Sequence, residues 1–549
     1  MVWLVLYHKS TRCELDGLTI GLFSFIILSM KLSAFQKGLL VVLIALLLFG
    51  GIIFINRILL ADVFCKEEAQ HALNGLWLCK DLRNLDWKGF WYDTQRQMFW
   101  PFFHSWILAI FFLFFGISYI SARFLSLVIF FATLILMYVV ANRFSEKSGW
   151  KIGILSVFLA LSSPLMIRFS AENTLEGLGA LIFLVSFYLY TIAEQRKLSI
   201  YYVFLALGIG LSIYTNYLYA YLMIPAFLVA TLGKLGPIFV ETLQLTRKGE
   251  KSALQFLWWA YRKLITLVVL LLVAGAWFLT SAFSRKFMLL LQAIFRYSGG
   301  ESVQGLWQNL LFYPKAIIQN YTFSPWLGIL MVISLFLPLI AVRYFQLNKL
   351  YVFIWTVIVL VTLTIPTKAP QLIYIIAPFL LIVFSATVFY GLERLNKYGI
   401  IILLVIFVPA LISIPRLGSL YFPSRPAEKT VKILNYFHWG VLPRYPIASS
   451  INLQHLSPEV IIFHFWDWNA PVLADPIVGE DGMFRSARYF LTVEIDPNSP
   501  YQTEVLDDSI FRWNMYLQEK LRAGEIRENS QRRFEGLGVT AKIYEKIPR

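Results

Sequence analysis

The sequence predicts an α-helical polytopic membrane protein of about eleven transmembrane helices, with external amphipathic helices and a small C-terminal extracytoplasmic α/β domain. Three observations predict it. Hydrophobic residues make up 58% of the 549 positions and aromatic residues 17%, while charged residues reach only 15%, well below the ~25% of a soluble domain. A water-soluble fold cannot bury that much apolar surface. Apolar runs of about 15–23 residues recur from Gly38 to Ile414, separated mostly by short polar loops. Finally, the composition changes at Arg416: from there on, 16 Lys and Arg meet 16 Asp and Glu, so the whole net charge of +16 belongs to residues 1–415. Basic residues spread over short loops follow the positive-inside rule. A nucleic-acid surface would instead gather them on one soluble face.

Residues 1–37 are read as a cytoplasmic N-terminal extension, because the run from Leu18 to Met30 is too short to span comfortably. Gly38–Leu60 is the first span. Lys31 and Lys37 hold its start in the cytoplasm, and with no small-residue cleavage site after it the span reads as an anchor. The external loop then covers 61–121. Within it, 101–116 is apolar but reads as a helix lying at the outer interface, with Trp100, His104 and Trp106 at headgroup depth. Counting it as a span would reverse the sidedness of every basic loop that follows. The remaining spans are Ala122–Ala141, Ile152–Ile167, Leu175–Ala193, Tyr201–Thr215, Tyr219–Leu232, Leu264–Phe283, Trp326–Val342, Leu350–Ile365, Ile373–Leu392 and Ile400–Ile414. Ser284–Ser324 forms a second long external loop. The transmembrane domain thus covers 38–415 and the extracytoplasmic α/β domain 416–549. In the latter, Val460–Phe465 reads as a buried strand, Leu491–Ile495 as an alternating strand and Ser509–Ala523 as an amphipathic helix.

Candidate chemistry gathers in three places outside the membrane. The first is the opening loop, where Ala69, Leu73, Leu76 and Leu78 space a short amphipathic helix with Glu67 and Glu68 in its first turn. The plainer account of this pair is first-turn acids favoured by the helix dipole. The second is the turn from Arg168 through Glu172 to Glu176, at the mouth between two spans, where ionisable residues are functional candidates. Its plainer account is an ion pair within a solvated turn. The third is Lys368, squeezed between two span ends, which either snorkels or holds an anion such as a lipid phosphate. No GxxxxGK or strand-linked GxGxxG occurs, which disfavours an ATP-driven pump. Cys13, Cys65 and Cys79 form no zinc array. Cys65 and Cys79 could pair if their loop is extracytoplasmic.

Several stretches, in order, resemble the C-type membrane glycosyltransferases. These are Glu67-Glu68-Ala69 to Asp86-Trp87, Trp100-Pro101-Phe102 to Trp106, Phe115-Gly116, and Arg123-Phe124-Leu125-Ser126. They are followed by Ser163-Pro164 to Arg168-Phe169-Ser170 and Glu176, Gly208–Tyr217, and Lys368–Pro378. The branch they are similar to is the protein-O-mannosyltransferase and aminoarabinose-transferase-like one, related to dolichyl-phosphate-mannose-protein mannosyltransferases. The match covers roughly 35–400. Each motif is loose, and the order carries the specificity. Glu67 stands where the family usually has Asp, Glu176 is again Glu for Asp, and His71 takes a common Tyr position.

The resemblance implies an inverting transfer from a polyprenyl-phosphate-linked sugar to an acceptor hydroxyl on the outer face of the cytoplasmic membrane. The acceptor would be a protein, a glycolipid or a cell-wall glycan. Phosphate is a stable leaving group, so the reaction needs a general base for the hydroxyl and charge to hold the phosphate. Glu67 is the expected base, Glu68 and Glu176 orient it and the substrates, and Lys368, Arg168 and Arg123 are the expected phosphate ligands. No cofactor is certain. A divalent metal stays open, since Glu67, Glu68 and Glu176 could share an ion if they converge. A lipid or solute transporter or flippase is the rival class. It would place charges mid-span, whereas these carboxylates sit at a rim. A non-catalytic scaffold is the third.

Overall fold

The computed structural model describes residues 33–97, 101–144, 148–196, 199–231, 301–302, 305–340, 348–395, 413–423, 428–443, 445–468, 472–473 and 479–548. The expected spans Leu264–Phe283 and Ile400–Ile414 fall almost wholly outside these residues.

The chain is mostly helical. Helix α1, Ala34–Ile53, is capped by Ser33 and runs on through a π-helical turn, Phe54–Leu59. The loop that follows carries α2, Lys66–Arg83, then α3, Trp87–Gln95, and α4, Phe103–Phe115. Next come α5, Tyr119–Asn142, and α6, Gly149–Leu161, continued by the short α7, Pro164–Ser170. Helices α8, Glu176–Arg196, α9, Ser199–Thr215, and α10, Tyr217–Thr231, follow. After the next described stretch come α11, Leu306–Asn320, α12, Pro325–Ile340, and α13, Asn348–Thr364. A 3-10 turn, Pro370–Ile376, then leads into α14, Ala377–Leu395.

Among the described residues, four helical stretches are long and apolar enough to cross a membrane: Ala34–Leu59, α5, Glu176–Ala193 and Pro370–Gly391. The expected span Ile152–Ile167 is not one straight helix, because α6 and α7 meet at a bend of 74°. Pro164 has no N–H to continue the ladder and its ring crowds the carbonyl four residues back, so the helix restarts there in a new direction. Counted together, the pair makes a fifth candidate span.

Helix α4 has 13 residues, or about 20 Å at 1.5 Å per residue, short of a bilayer's ~30 Å. It lies against α2, burying His104, Ser105, Leu108, Ala109 and Phe112. Gly75 makes the approach possible, since a Cβ there would sit 2.8 Å from the Leu108 side chain. Gly116, at φ +79°, ends α4 in a conformation open to glycine.

The last part of the chain contains a five-stranded sheet in the order β4-β3-β5-β7-β6. Its strands are β3, Ile447–Ser449, β4, Val472–Leu473, β5, Tyr489–Ile495, β6, Ile526–Phe534, and β7, Val539–Lys546. A two-residue ladder elsewhere pairs β1, Glu301–Ser302, with β2, Thr367–Lys368. In the larger sheet β3 runs parallel to β4 and β5, while β7 runs antiparallel to β5 and β6. Helices α15, Ile414–Tyr421, α16, Val431–Gly440, α17, Pro458–His464, α18, Gly479–Ser486, and α19, Ser509–Arg522, complete this part. Trp513 of α19 is fully buried and donates its indole N–H to the Leu491 carbonyl at 3.1 Å. The stretch expected as a buried strand at Val460–Phe465 is helix α17 instead. A short apolar run does not reveal its period, and here Pro458 at the first helical position starts a helix.

This sheet-bearing part seats itself on the start of α2. The Lys66 backbone N–H donates to the Gln454 carbonyl at 2.7 Å, and the Lys66 ammonium to Asn452 Oδ1 at 3.0 Å. The Phe64 and Phe463 rings meet at 5.0 Å.

Candidate active site

The site forms at one end of the helical bundle, where α1, α9 and α13 finish and α5, α8 and α10 begin. Helix α2 lies across this end, and its first turn places two adjacent carboxylates in different surroundings. Neighbouring residues on an α-helix point about 100° apart, so Glu67 and Glu68 cannot face the same way.

Glu68 turns inward and is 2% exposed. The guanidinium of Arg123, from the first turns of α5, donates to both of its oxygens at 2.8 Å. The same guanidinium donates to the carbonyls of Asp62 at 2.7 Å and Val63 at 3.1 Å. Glu68 also accepts the backbone N–H of Asn173 at 3.0 Å and of Cys65 at 3.1 Å. Burial alone would raise this carboxyl. The charge and hydrogen bonds of Arg123, with the two N–H groups, outweigh it and hold Glu68 below the ordinary glutamate range. One carboxylate therefore ties together the opening loop, α5 and the turn before α8.

Glu67 faces the other way, into a small cleft. Among the described residues it has no hydrogen-bond or ion-pair partner. Across the cleft lies Glu176, in the first turn of α8. His71, one helical turn after Glu67, lines the same cleft, as i,i+4 spacing requires. Burial pushes the Glu67 carboxyl up and neighbouring Glu68 adds to this, while the Arg168 charge acts against them. Burial, with His104 beside it, pushes the His71 imidazole down to about 3, so it is neutral and offers one donor and one acceptor. Thr174, Asn216, Tyr219 and Gln371 complete the polar lining. Asn216 also starts α10, its Oδ1 accepting the Leu218 N–H at 2.9 Å.

The other expected site residues lie elsewhere. Arg168, on α7, pairs with Glu172 at 2.9 Å and opens onto a neighbouring cavity. Arg123 is spent on Glu68 and two carbonyls. Lys368 is 1% exposed, and its ammonium donates to the carbonyls of Val361 at 2.6 Å and Thr362 at 2.8 Å, and to that of Ile365. It thus caps the end of α13 and does not face the cleft. The convergence that a shared ion would need is not found, because Glu68 faces Arg123. Among the described residues no three His, Cys, Asp or Glu side chains gather to hold a metal. Cys65 and Cys79 are free thiols near opposite ends of α2, about 20 Å apart by helical rise, so they cannot pair.

Of the residues singled out in the sequence, Glu67 and Glu176 line one cleft. His71, Asn216 and Gln371 were visible in the text only as departures or polar breaks beside apolar runs, and nothing local marked them as cleft residues.

Comparison with known proteins agrees with this architecture. The sequence model of the family described as dolichyl-phosphate-mannose-protein mannosyltransferase matches residues 100–244. No curated protein matches the chain by sequence. The crystal structure of ArnT from Cupriavidus metallidurans in the apo state superposes with a TM-score of 0.56 at 13% identity, covering 92% of this chain and 98% of that one. The same protein bound to undecaprenyl phosphate gives 0.55 at 11% identity, covering 92% and 97%. The Archaeoglobus fulgidus oligosaccharyltransferase complex with Zn and sulfate is a more distant likeness, 0.47 at 12% identity over 82% and 67%, and supports nothing further. The resemblance to C-type membrane glycosyltransferases read from the sequence is thus borne out. More particularly, the chain has the fold of ArnT along nearly its whole length.

Proposed function

We propose that this chain is an inverting glycosyltransferase. It moves a sugar from a polyprenyl-phosphate-linked donor to an acceptor hydroxyl at the outer face of the cytoplasmic membrane. The observation that carries this reading is a carboxylate, Glu67, that has no hydrogen-bond or ion-pair partner among the described residues and faces Glu176 across a cleft at one end of an apolar helical bundle. The mannosyltransferase family match and the fold shared with a protein crystallised with undecaprenyl phosphate support it.

In this reading Glu67 takes the proton of the acceptor hydroxyl as its oxygen attacks the anomeric carbon. The bond from that carbon to the phosphate oxygen breaks, and polyprenyl phosphate leaves with the electron pair. A carboxylate in this role contributes ~10²–10⁴-fold. Glu67 is one methylene longer than aspartate and reaches correspondingly further from α2. Glu176, His71 and Asn216 line the space that sugar and acceptor must share, and each can hydrogen-bond a hydroxyl. Glu68 acts through position: paired with Arg123, it fixes the turn from which Glu67 projects. Arg168 is the expected cation best placed to act at a distance on the departing phosphate, since its charge already acts on Glu67. Lys368 and Arg123 keep their structural partners. Residues 38–415 carry the transfer, and 416–549 form the external α/β domain that seats on α2.

The test is transfer of radiolabel from a panel of polyprenyl-phosphate sugars in membranes carrying the protein, with the anomeric configuration of the product determined. An inverted product with one donor is expected. Retention, or no transfer from any donor despite specific donor binding, would overturn the reading.

A further inference from the structure

A second cavity lies on the far side of the first turn of α2 and shares no lining residue with the Glu67 cleft. Its floor comes from the end of α1, the opening loop and α7. Its roof comes from the last part of the chain, with Lys429, Gln454 and His455. Four arginine or lysine side chains line it against three carboxylates.

Most of these charges are already matched. Arg123 pairs with Glu68 at 2.8 Å and Arg168 with Glu172 at 2.9 Å. The Asp62 carboxylate is held by backbone N–H groups of Val63 at 2.9 Å, Thr430 at 2.7 Å and Val431 at 3.2 Å. His455 is paired with Glu504 at 3.1 Å. That leaves Arg57 and Lys429. Arg57 Nε donates to the Leu420 carbonyl. The Lys429 ammonium donates to the carbonyls of Leu60 at 2.8 Å and Ala61 at 3.3 Å. Among the described residues neither has an acidic partner, and the terminal nitrogens of Arg57 have no bond at all. The Glu172 charge acts on Arg57 from a distance, but half-buried cations left without an ion pair are costly. A guanidinium fork beside an ammonium is the arrangement that recognises an oxyanion.

We propose that this cavity is an oxyanion-binding site in which Arg57 and Lys429 hold a phosphate ester or phosphate at the seam between the helical bundle and the sheet-bearing part. The assignment does not rest on the transferase reading, in which Arg168, also on this cavity's wall, enters only through its charge. A bound anion would bridge the π turn ending α1 to the segment entering α16. It would thereby bear on the loop that carries Glu67.

The test uses the purified full-length protein in lipid nanodiscs, with inorganic phosphate as the probe and chloride at equal ionic strength as the control. Two quantities are read: saturable binding of radiolabelled phosphate, and protection of Lys429 from acetylation by mass spectrometry. Saturable binding, with at least a fivefold slowing of Lys429 acetylation, is expected. Arg57→Gln should weaken binding about tenfold or more, Arg57→Lys should keep most of it, and Glu67→Gln should leave it unchanged. A parallel titration with polyprenyl phosphate in the disc separates the sources. Competition assigns the site to a lipid headgroup, and lack of competition to a soluble phosphate or phosphoester. The footprint on the wild-type protein needs no variant, so a folding defect in Arg57→Gln cannot obscure the result. Absence of Lys429 protection by both phosphate and polyprenyl phosphate would overturn the proposal, as would equal protection in a folded Arg57→Gln.

Discussion

Glu68 and Glu67 are neighbours in sequence with different tasks, and a double-mutant cycle on Glu68 and Arg123 separates them. Arg123→Met leaves the buried Glu68 carboxylate with only the N–H groups of Asn173 and Cys65. Breaking a buried pair from one side costs about 3–5 kcal/mol. Glu68→Gln is milder at about 2–3 kcal/mol, because Arg123 keeps the carbonyls of Asp62 and Val63. In the double variant no buried charge remains, so its cost should fall short of the sum by about 0.5–3 kcal/mol. The assay is thermal unfolding of the purified protein in one detergent, read by intrinsic tryptophan fluorescence. Both single variants should lower the midpoint by several degrees, Arg123→Met more. The double variant should recover part of the loss. Strictly additive losses, or a Glu68→Gln midpoint equal to wild type, would refute the claim that this pair holds the opening loop in place.

Other predictions follow from the same geometry. Burial raises the Glu67 carboxyl above the 4.5 of a free glutamate, and a general base works only when ionised. The acid limb of kcat/KM should therefore lie above pH 4.5, with activity rising as pH increases through it. Arg168 lowers the Glu67 carboxyl, so Arg168→Gln should move that limb to higher pH; a limb that moves down would exclude the assignment. Lys368→Met should destabilise the protein by about 2 kcal/mol, because three carbonyls at the end of α13 lose their donor. The donor KM should change little. A raised KM with an unchanged melting midpoint would return Lys368 to the phosphate. Cys65 and Cys79 should both alkylate with maleimide in the unfolded protein without prior reduction. A requirement for reductant would contradict the free thiols found here.

Much of the site's scaffold is legible in the sequence. Helix α2 follows from the spacing of Ala69, Leu73 and Leu76, and α4 from an apolar run that the sidedness of the later basic loops keeps from being counted as a span. The division of labour between Glu67 and Glu68 is not legible. It is decided by Arg123, 55 residues further along, and by the backbone of Asn173. Lys368 was misleading for a related reason: its partners are carbonyls, which every residue carries, so no sequence pattern could announce them. The bend at Pro164 was present in the text, yet hydropathy averages over a single proline and reads through it. The strand expected at Val460–Phe465 failed because six residues, five of them apolar, do not distinguish a period of two from 3.6.

The measurement that bears most directly on the account is sugar transfer by Glu67→Gln and Glu67→Asp beside the wild type, each at matched expression and melting midpoint. Glutamine keeps the size of the side chain and removes the base, so transfer should fall by ~10²–10⁴-fold. Aspartate shortens the reach and should keep a measurable part of the rate. Because Glu67 has no partner among the described residues, neither change should lower the midpoint. Full turnover by Glu67→Gln with the same donor and acceptor would contradict the account.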